Sequence, residues 1–94
     1  MNHVRDYPGF MYVYVLRSEK NGKWYVGCTK DLRKRLAEHQ SNRGGYTKGR
    51  GPFELMYYEA CRSSEDAFTR EKYLKTGMGR RHLVNRLKRF LSLT

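Results

Sequence analysis

Glu71, Tyr14, Tyr25, Arg35 and His39 are the side chains whose types and spacing can do chemistry in this chain. Glu71 lies four residues after Ala67, three after Phe68 and three before Leu74, which puts it on the inward face of an expected helix. A carboxylate on such a face is costly to bury without a partner. Two partners suit it. One is an inward-leaning Arg35, giving a salt bridge; the other is a hard divalent cation, which one carboxylate, waters and substrate phosphate oxygens commonly hold. Tyr14 and Tyr25 either pack as strand residues with a hydroxyl at a wet edge, or present a phenol that activates water. With an ordinary phenol pKa of about 10, the second use requires a metal or a cation nearby. Arg35 supplies a cation in bidentate geometry suited to phosphate. His39, four residues on, shares its flank of the helix. It can orient water, exchange protons, or simply be a satisfied histidine on a helix flank.

These residues need elements to hold them. Met11 to Leu16 is rich in β-branched and aromatic residues and reads as a buried strand. Asn21-Gly22 signals a tight hairpin, with Lys23 to Thr29 returning as the second strand. In that pairing Tyr14 and Tyr25 project from one face, and Gly27 leaves an open patch beside them. Asp31 to Gln40 is expected as a helix capped by Thr29, with Leu32 and Leu36 as its buried stripe. Asn42 to Pro52 reads as a glycine-rich basic loop and Phe53 to Cys61 as the third strand. Ser63 to Asp66 has capping-box character and opens a second helix, which Gly77 is expected to stop. A third helix is expected over Arg80 to Leu93, with Leu83, Leu87, Phe90 and Leu91 on one face and Arg81, Asn85, Lys88 and Arg89 opposite. The order β-β-α-β-α-α makes a small α/β (α+β) domain with an antiparallel sheet over residues 11–94, after a short lead-in over 1–10.

The chain has 94 residues, enough for one domain with a modest core. Its 20 Lys and Arg against 9 Asp and Glu give a net charge of +11, a surplus that favours a polyanion, nucleic acid first. The charge is uneven: residues 72–94 carry seven Lys or Arg and no acid. The bland alternative is a solvated face that keeps a small protein soluble. No run of residues reaches the roughly 20 apolar positions of a membrane span, so no membrane partner is expected. The first ten residues lack an apolar signal core, and Cys28 and Cys61 have no zinc-ligand spacing. A cytoplasmic location with two reduced thiols is the expectation; both cysteines close expected strands, so a disulfide is the alternative.

Tyr12-Val13-Tyr14 followed by Tyr25-Val26-Gly27 resembles the paired signature of the GIY-YIG nuclease superfamily. Cys28 to His39 is similar to its helix, with Arg35 ten residues after Tyr25, and Ala67 to Glu71 resembles the later helix that carries the metal-binding Glu. The likeness runs from about Met11 to Phe90 and is nearest to the small, stand-alone, mostly bacterial members. It implies a three-stranded antiparallel sheet flanked by helices and metal-dependent hydrolysis of a nucleic-acid phosphodiester. By position, Tyr14 is then the general base, Tyr25 its hydrogen-bonding neighbour, Arg35 the phosphate stabiliser and His39 an assistant. Glu71 holds one Mg²⁺ or Mn²⁺. The chain departs from the pattern in places, Val13 for the first motif's Ile being an innocuous one. Tyr12 stands where the family has Gly, Cys28 stands where some members have a Lys whose role is absent or filled by Lys30, and Asn85 is the nearest counterpart of a late Asn.

Three function classes compete. A nuclease acting on DNA, in repair or recombination, uses the whole set of five residues. A basic binding module that retains the fold has no need of the acid, and a ribosome-associated or structural basic protein explains only the charge. Arg43, Tyr46, Lys48 and Arg50 in the glycine-rich loop are candidate nucleic-acid contacts, Tyr46 by stacking on a base, or else belong to a plain connection. Arg81, Asn85, Lys88 and Arg89 form a second candidate footprint, with Lys30 beside the second strand. A domain this small has little surface for reading a long site, so specificity is expected from nucleic-acid structure or from a protein partner.

Overall fold

Strand Met11–Ser18 (β1) lies between Trp24–Thr29 (β2) and Phe53–Cys61 (β3) in an antiparallel sheet ordered β2-β1-β3. A computed structural model describes residues 9–41 and 47–93 of the chain. The central strand is apolar in succession because both of its faces are covered, and Val13, Tyr14, Val15 and Leu16 are all buried. Ser18 closes the hairpin: its hydroxyl accepts the Lys20 and Asn21 amides, and Gly22 takes a φ of 75° that a side chain would resist. Across β1 and β3 the register slips between Val15 and Leu16, leaving Met56 as the extra residue of a bulge.

Each sheet face has its own core. On one, Tyr14, Leu16 and Phe53 pack with Tyr25, Leu32 and Leu36, the last two from helix α1 (Leu32–Gln40). On the other, Met11, Val13 and Val15 pack with Ala67 and Leu74 of α2 (Ser64–Leu74) and Leu83 of α3 (Gly77–Arg86). The Gln40 side chain ties the end of α1 to β3, donating to the Phe53 carbonyl at 2.7 Å and accepting its amide at 3.0 Å. Glu59 of β3 takes Arg70 of α2 on both carboxylate oxygens (2.8 and 3.2 Å), and Arg70 donates onward to His82 of α3 at 3.0 Å. Burial pushes the Glu59 carboxyl up, but the Arg70 and Tyr57 hydrogen bonds outweigh it and leave the pKa lowered.

Several sequence expectations need correction at element ends. Asp31, not Thr29, caps α1, accepting the Lys34 amide at 3.1 Å; Thr29 instead accepts the Asp31 amide. Ser63 caps α2 as expected, accepting the Asp66 amide. Gly77 does not stop that helix: α2 ends at Leu74, and Gly77 opens α3 under the Thr76 cap. The expected helix over 80–93 is two helices, α3 and a short α4 (Lys88–Ser92), parted at Leu87. The order is therefore β-β-α-β-α-α-α. The expected apolar residues do turn inward, but from two helices rather than one: Leu83 is fully buried, Leu87, Phe90 and Leu91 are half-buried, Phe90 beneath the Arg17 guanidinium, and Arg81, Asn85, Lys88 and Arg89 are exposed. Phe68, expected inward beside Glu71, is 52% exposed. Both cysteines are free. Among the described residues, no helix is long and apolar enough to cross a membrane.

Leu83 joins β1, α2 and α3 at zero exposure. Leu83→Ala is expected to cost about 2–5 kcal/mol, read as a lower urea midpoint at unchanged m-value.

Candidate active site

A cleft of about 630 Å³ wraps the free edge of β2 and is lined from both faces of the sheet. Tyr14, Tyr25, Arg35, His39 and Thr47 reach it from the α1 side, and Trp24, Cys28, Glu71, Lys75, Arg80 and Leu83 from the other. Gly27 opens the wall between the two. A Cβ there would collide with the Tyr14 hydroxyl and lie 2.5 Å from its Cζ. The phenol therefore lies directly over the glycine, and its hydroxyl reaches the edge.

Tyr14 is 2% exposed and its hydroxyl is 2.9 Å from His39 Nε2. His39, on the last turn of α1 and also buried, bonds through Nδ1 to the Thr47 hydroxyl, itself buried. Burial raises the Tyr14 pKa, while the hydrogen bond and charge of Arg35 pull against it. A guanidinium only donates, so the phenol proton has Nε2 as its acceptor. That assigns the Nδ1–H tautomer to His39, with Thr47 as acceptor. Burial, and then the charge of Arg35, holds His39 below its ordinary pKa and hence neutral at pH 7.

Arg35 is anchored one turn on by Glu38 at 2.9 Å. Tyr25 lies edge-on to Phe53, ring centroids 5.7 Å apart, and its hydroxyl takes a long 3.4 Å contact from Asn21 Nδ2. Glu71 pairs with Lys75 at 3.1 Å, one turn along α2, rather than with Arg35. Its side chain retains 22% exposure and faces the cleft. The Cys28 thiol also lines it; burial and the nearby Glu71 raise its pKa, so it stays protonated.

All five residues singled out for chemistry thus line one cleft. The expected nucleic-acid contacts stand elsewhere. Lys30, Lys48, Arg81, Asn85, Lys88 and Arg89 are exposed outside the cleft, and Arg50 is half-buried with its carbonyl held by Ser18. Arg43 and Tyr46 lie outside the described residues. Thr47, Trp24, Lys75 and Arg80 were not anticipated as cleft residues. Thr47 carries no sequence signal, because its role exists only once the chain folds back onto α1. Arg80 had one, a cation in the opening turn of the expected third helix, but nothing along the chain says that Trp24 lies beneath it. Tyr12, the bulky departure in the first motif, sits beside Tyr58 with ring centroids 6.1 Å apart.

A three-stranded antiparallel sheet that places a phenol, a guanidinium and a carboxylate around one strand edge defines the architecture, and the family model described as the GIY-YIG catalytic domain matches residues 10–89. The chain belongs to the GIY-YIG family. It is similar to UPF0213 protein BH0048 of Halalkalibacterium halodurans, 42% identical over 78 residues that cover 82% of this chain and 76% of the relative. It is also similar to a UPF0213 protein of Streptococcus pneumoniae, 41% identical over 71 residues, covering 74% of this chain and 69% of that one. The solution NMR structure of UPF0213 protein BH0048 from Bacillus halodurans matches with a TM-score of 0.52 at 38% identity, covering 81% of this chain and 83% of the other.

Two outcomes test this geometry. Gly27→Ala should leave the far-ultraviolet circular dichroism intact but push the phenol off His39, seen as a changed His39 ring-nitrogen chemical shift. For His39 the sign of the pH effect follows from its lowered folded pKa against an ordinary 6.5. As pH falls below 6.5 the unfolded chain takes up this proton first, so stability present above that pH is lost down to the folded pKa. His39→Gln should flatten the stability slope on the acid side of pH 6.5 in urea titrations; an unchanged slope would put its source elsewhere.

Proposed function

We propose that this protein is a metal-dependent endonuclease that hydrolyses phosphodiester bonds of nucleic acid, DNA in preference, as repair or recombination in the cytoplasm would require. The observation that carries the reading is the convergence of Tyr14, Arg35 and Glu71 on one open cleft at the β2 edge. The basic surplus of +11 fits a polyanionic substrate.

Glu71 is the residue that would hold one Mg²⁺ or Mn²⁺. The donor set fits that ion. Among the described residues, no three His, Cys, Asp or Glu side chains cluster into a protein-only cage, and magnesium characteristically takes one or two carboxylates plus waters and phosphate oxygens. The present partner of Glu71 is an exposed lysine, whose ion pair is weak and readily exchanged. When bound, the ion supplies Lewis-acid stabilisation of charge on the phosphate.

The remaining steps belong to side chains. Arg35 is positioned to donate to the non-bridging oxygens of the scissile phosphate as negative charge builds there. Tyr14 is a neutral phenol at pH 7, so it acts as a base by relay: it takes the proton of the attacking water while passing its own to His39 Nε2. His39 can receive it because burial and Arg35 keep the ring neutral beforehand. The resulting imidazolium sits near a guanidinium and returns its proton through the Tyr14 hydroxyl to solvent in the cleft, while the leaving oxygen takes its proton from solvent. Tyr25 borders the same volume and helps orient the water and the strand. Lys30, Lys48, Arg50, Arg81, Lys88 and Arg89, with Arg43 and Tyr46, supply outlying contacts to the nucleic acid, and Asn85 stands among them.

The test is cleavage of plasmid, single-stranded and branched DNA and structured RNA with Mg²⁺ or Mn²⁺. Tyr14→Phe should slow cleavage by about 10²- to 10⁴-fold with folding unchanged. Glu71→Gln should abolish metal-dependent cleavage and the rise in Tm that Mn²⁺ gives the wild type, while salt-sensitive binding persists. A wild type that binds without cutting would make the chain a binding module that retains the nuclease fold.

A further inference from the structure

Arg80 makes the closest cation–π contact in the described structure, its Cζ 3.6 Å from the centre of the Trp24 ring. The stack sits in the wall of the cleft formed by α2 and α3, beside Glu71 and Lys75. Its place is set by tight packing. A Cβ at Gly79 would strike the Tyr73 carbonyl and lie 2.5 Å from the Leu74 Cα, so the start of α3 is pressed onto the end of α2. Leu83, one turn beyond Arg80, is fully buried and fixes the helix against the sheet.

Two features of this arginine have no structural purpose. It stands in the opening turn of α3, where the helix dipole disfavours a cation and where no acidic residue compensates. It also has no acidic partner among the described residues, whereas Arg35 is held by Glu38 and Lys75 by Glu71. Stacking occupies the face of a guanidinium and leaves its in-plane N–H donors unused. A guanidinium seated on a ring in a cleft, with no acidic partner among the described residues, is suited to a phosphate, which it can grip through two oxygens. Arg35 approaches the cleft from the α1 side of the sheet and Arg80 from the other, so one strand laid over the β2 edge meets both.

We infer that Arg80, seated on Trp24, binds a backbone phosphate of the nucleic-acid strand next to the phosphate that Arg35 takes. This rests on the nucleic-acid reading of the same cleft and adds a substrate-positioning residue to it. Trp24 is the seat and Gly79 the spacing that puts the guanidinium there; neither touches the strand in this arrangement.

The experiment is binding without metal, so that it does not depend on cleavage. Fluorescein-labelled short DNA, single-stranded and duplex, is titrated by fluorescence anisotropy over a range of salt with wild type, Arg80→Gln, Trp24→Leu and the double variant, and Lys72→Gln as an exposed control outside the cleft lining. Loss of one phosphate contact should lower the slope of log K against log salt by about 0.7 on single strands or about 0.9 on duplex. Arg80→Gln should show that drop on the form the cleft accepts, and affinity should fall several-fold. Trp24→Leu should weaken binding in the wild-type background and add little once Arg80 is gone. Circular dichroism identifies any unfolded variant; if Trp24→Leu fails to fold, Arg80→Gln, an exposed position, still decides. An Arg80→Gln slope equal to that of wild type or of Lys72→Gln would overturn the inference. So would displacement of the DNA by inorganic phosphate that Arg80→Gln abolishes, because the ligand would then be a small free phosphate. Wild-type cleavage with an unaltered Arg80→Gln slope sinks this inference alone, and Arg80-dependent binding without cleavage sinks the nuclease reading alone.

Discussion

The Tyr14 phenol lies across β2 only because Gly27 presents no side chain there, and the cleft depends on that contact. Tyr14 belongs to the sheet face covered by α1, whereas Glu71 belongs to a helix packed on the opposite face. A flat three-stranded sheet would keep the two apart. With the glycine in the edge strand, the phenol oxygen reaches the strand margin and shares one open volume with the carboxylate. Burial of the ring then demands a hydrogen-bond acceptor for its proton, and His39 provides it. His39 in turn is held by Thr47, so a chain of three buried polar groups runs from the cleft into the loop before β3.

The two faces divide the work. The α1 face supplies the hydrogen-bonded Tyr14, His39 and Thr47 together with Arg35, beside one aromatic and aliphatic core. The other face supplies Glu71 and the Arg80 stack, on helices tied to β3 through Glu59, Arg70 and His82. Partly buried ion pairs of this kind add little net stability after desolvation. Their value here is orientation, since α2 and α3 must keep their rotation for Glu71 and Arg80 to share a wall. The absent Cβ at Gly79 serves the same end by letting the two helices meet at backbone distance.

Charge also separates into two scales. The net surplus of +11 is a long-range property that salt screens over about 8 Å at physiological ionic strength. Within the cleft, what matters is which cations are already paired. Arg35 and Lys75 each have a carboxylate one turn away on their own helix, while Arg80 relies on an aromatic ring. A stacked arginine keeps its charge and its donors available, which an ion-paired one does not.

Much was legible along the chain because it depends on local rules. The third strand was read with its observed ends, Phe53 to Cys61, and the shared face of Tyr14, Tyr25 and Gly27 followed from the period of two and the Asn21-Gly22 turn, whereas the register that pairs Tyr14 with Gly27 came only from the structure. Glu71 showed itself as a carboxylate on an apolar face. The errors fell where several local signals compete. Thr29 and Asp31 both qualify as caps, and the backbone course into α1 chose Asp31. Gly77 was read as a stop because glycine ends helices more often than it begins them, and the Thr76 hydroxyl decided otherwise. Residue types and spacing thus determined the strands, most of the helices and the five side chains of the cleft. Tertiary structure alone decided that Glu71 pairs with Lys75, that Thr47 holds His39 and that Arg80 lies on Trp24. Periodicity says which face a side chain takes; only the packing of one element on another says whom it meets there.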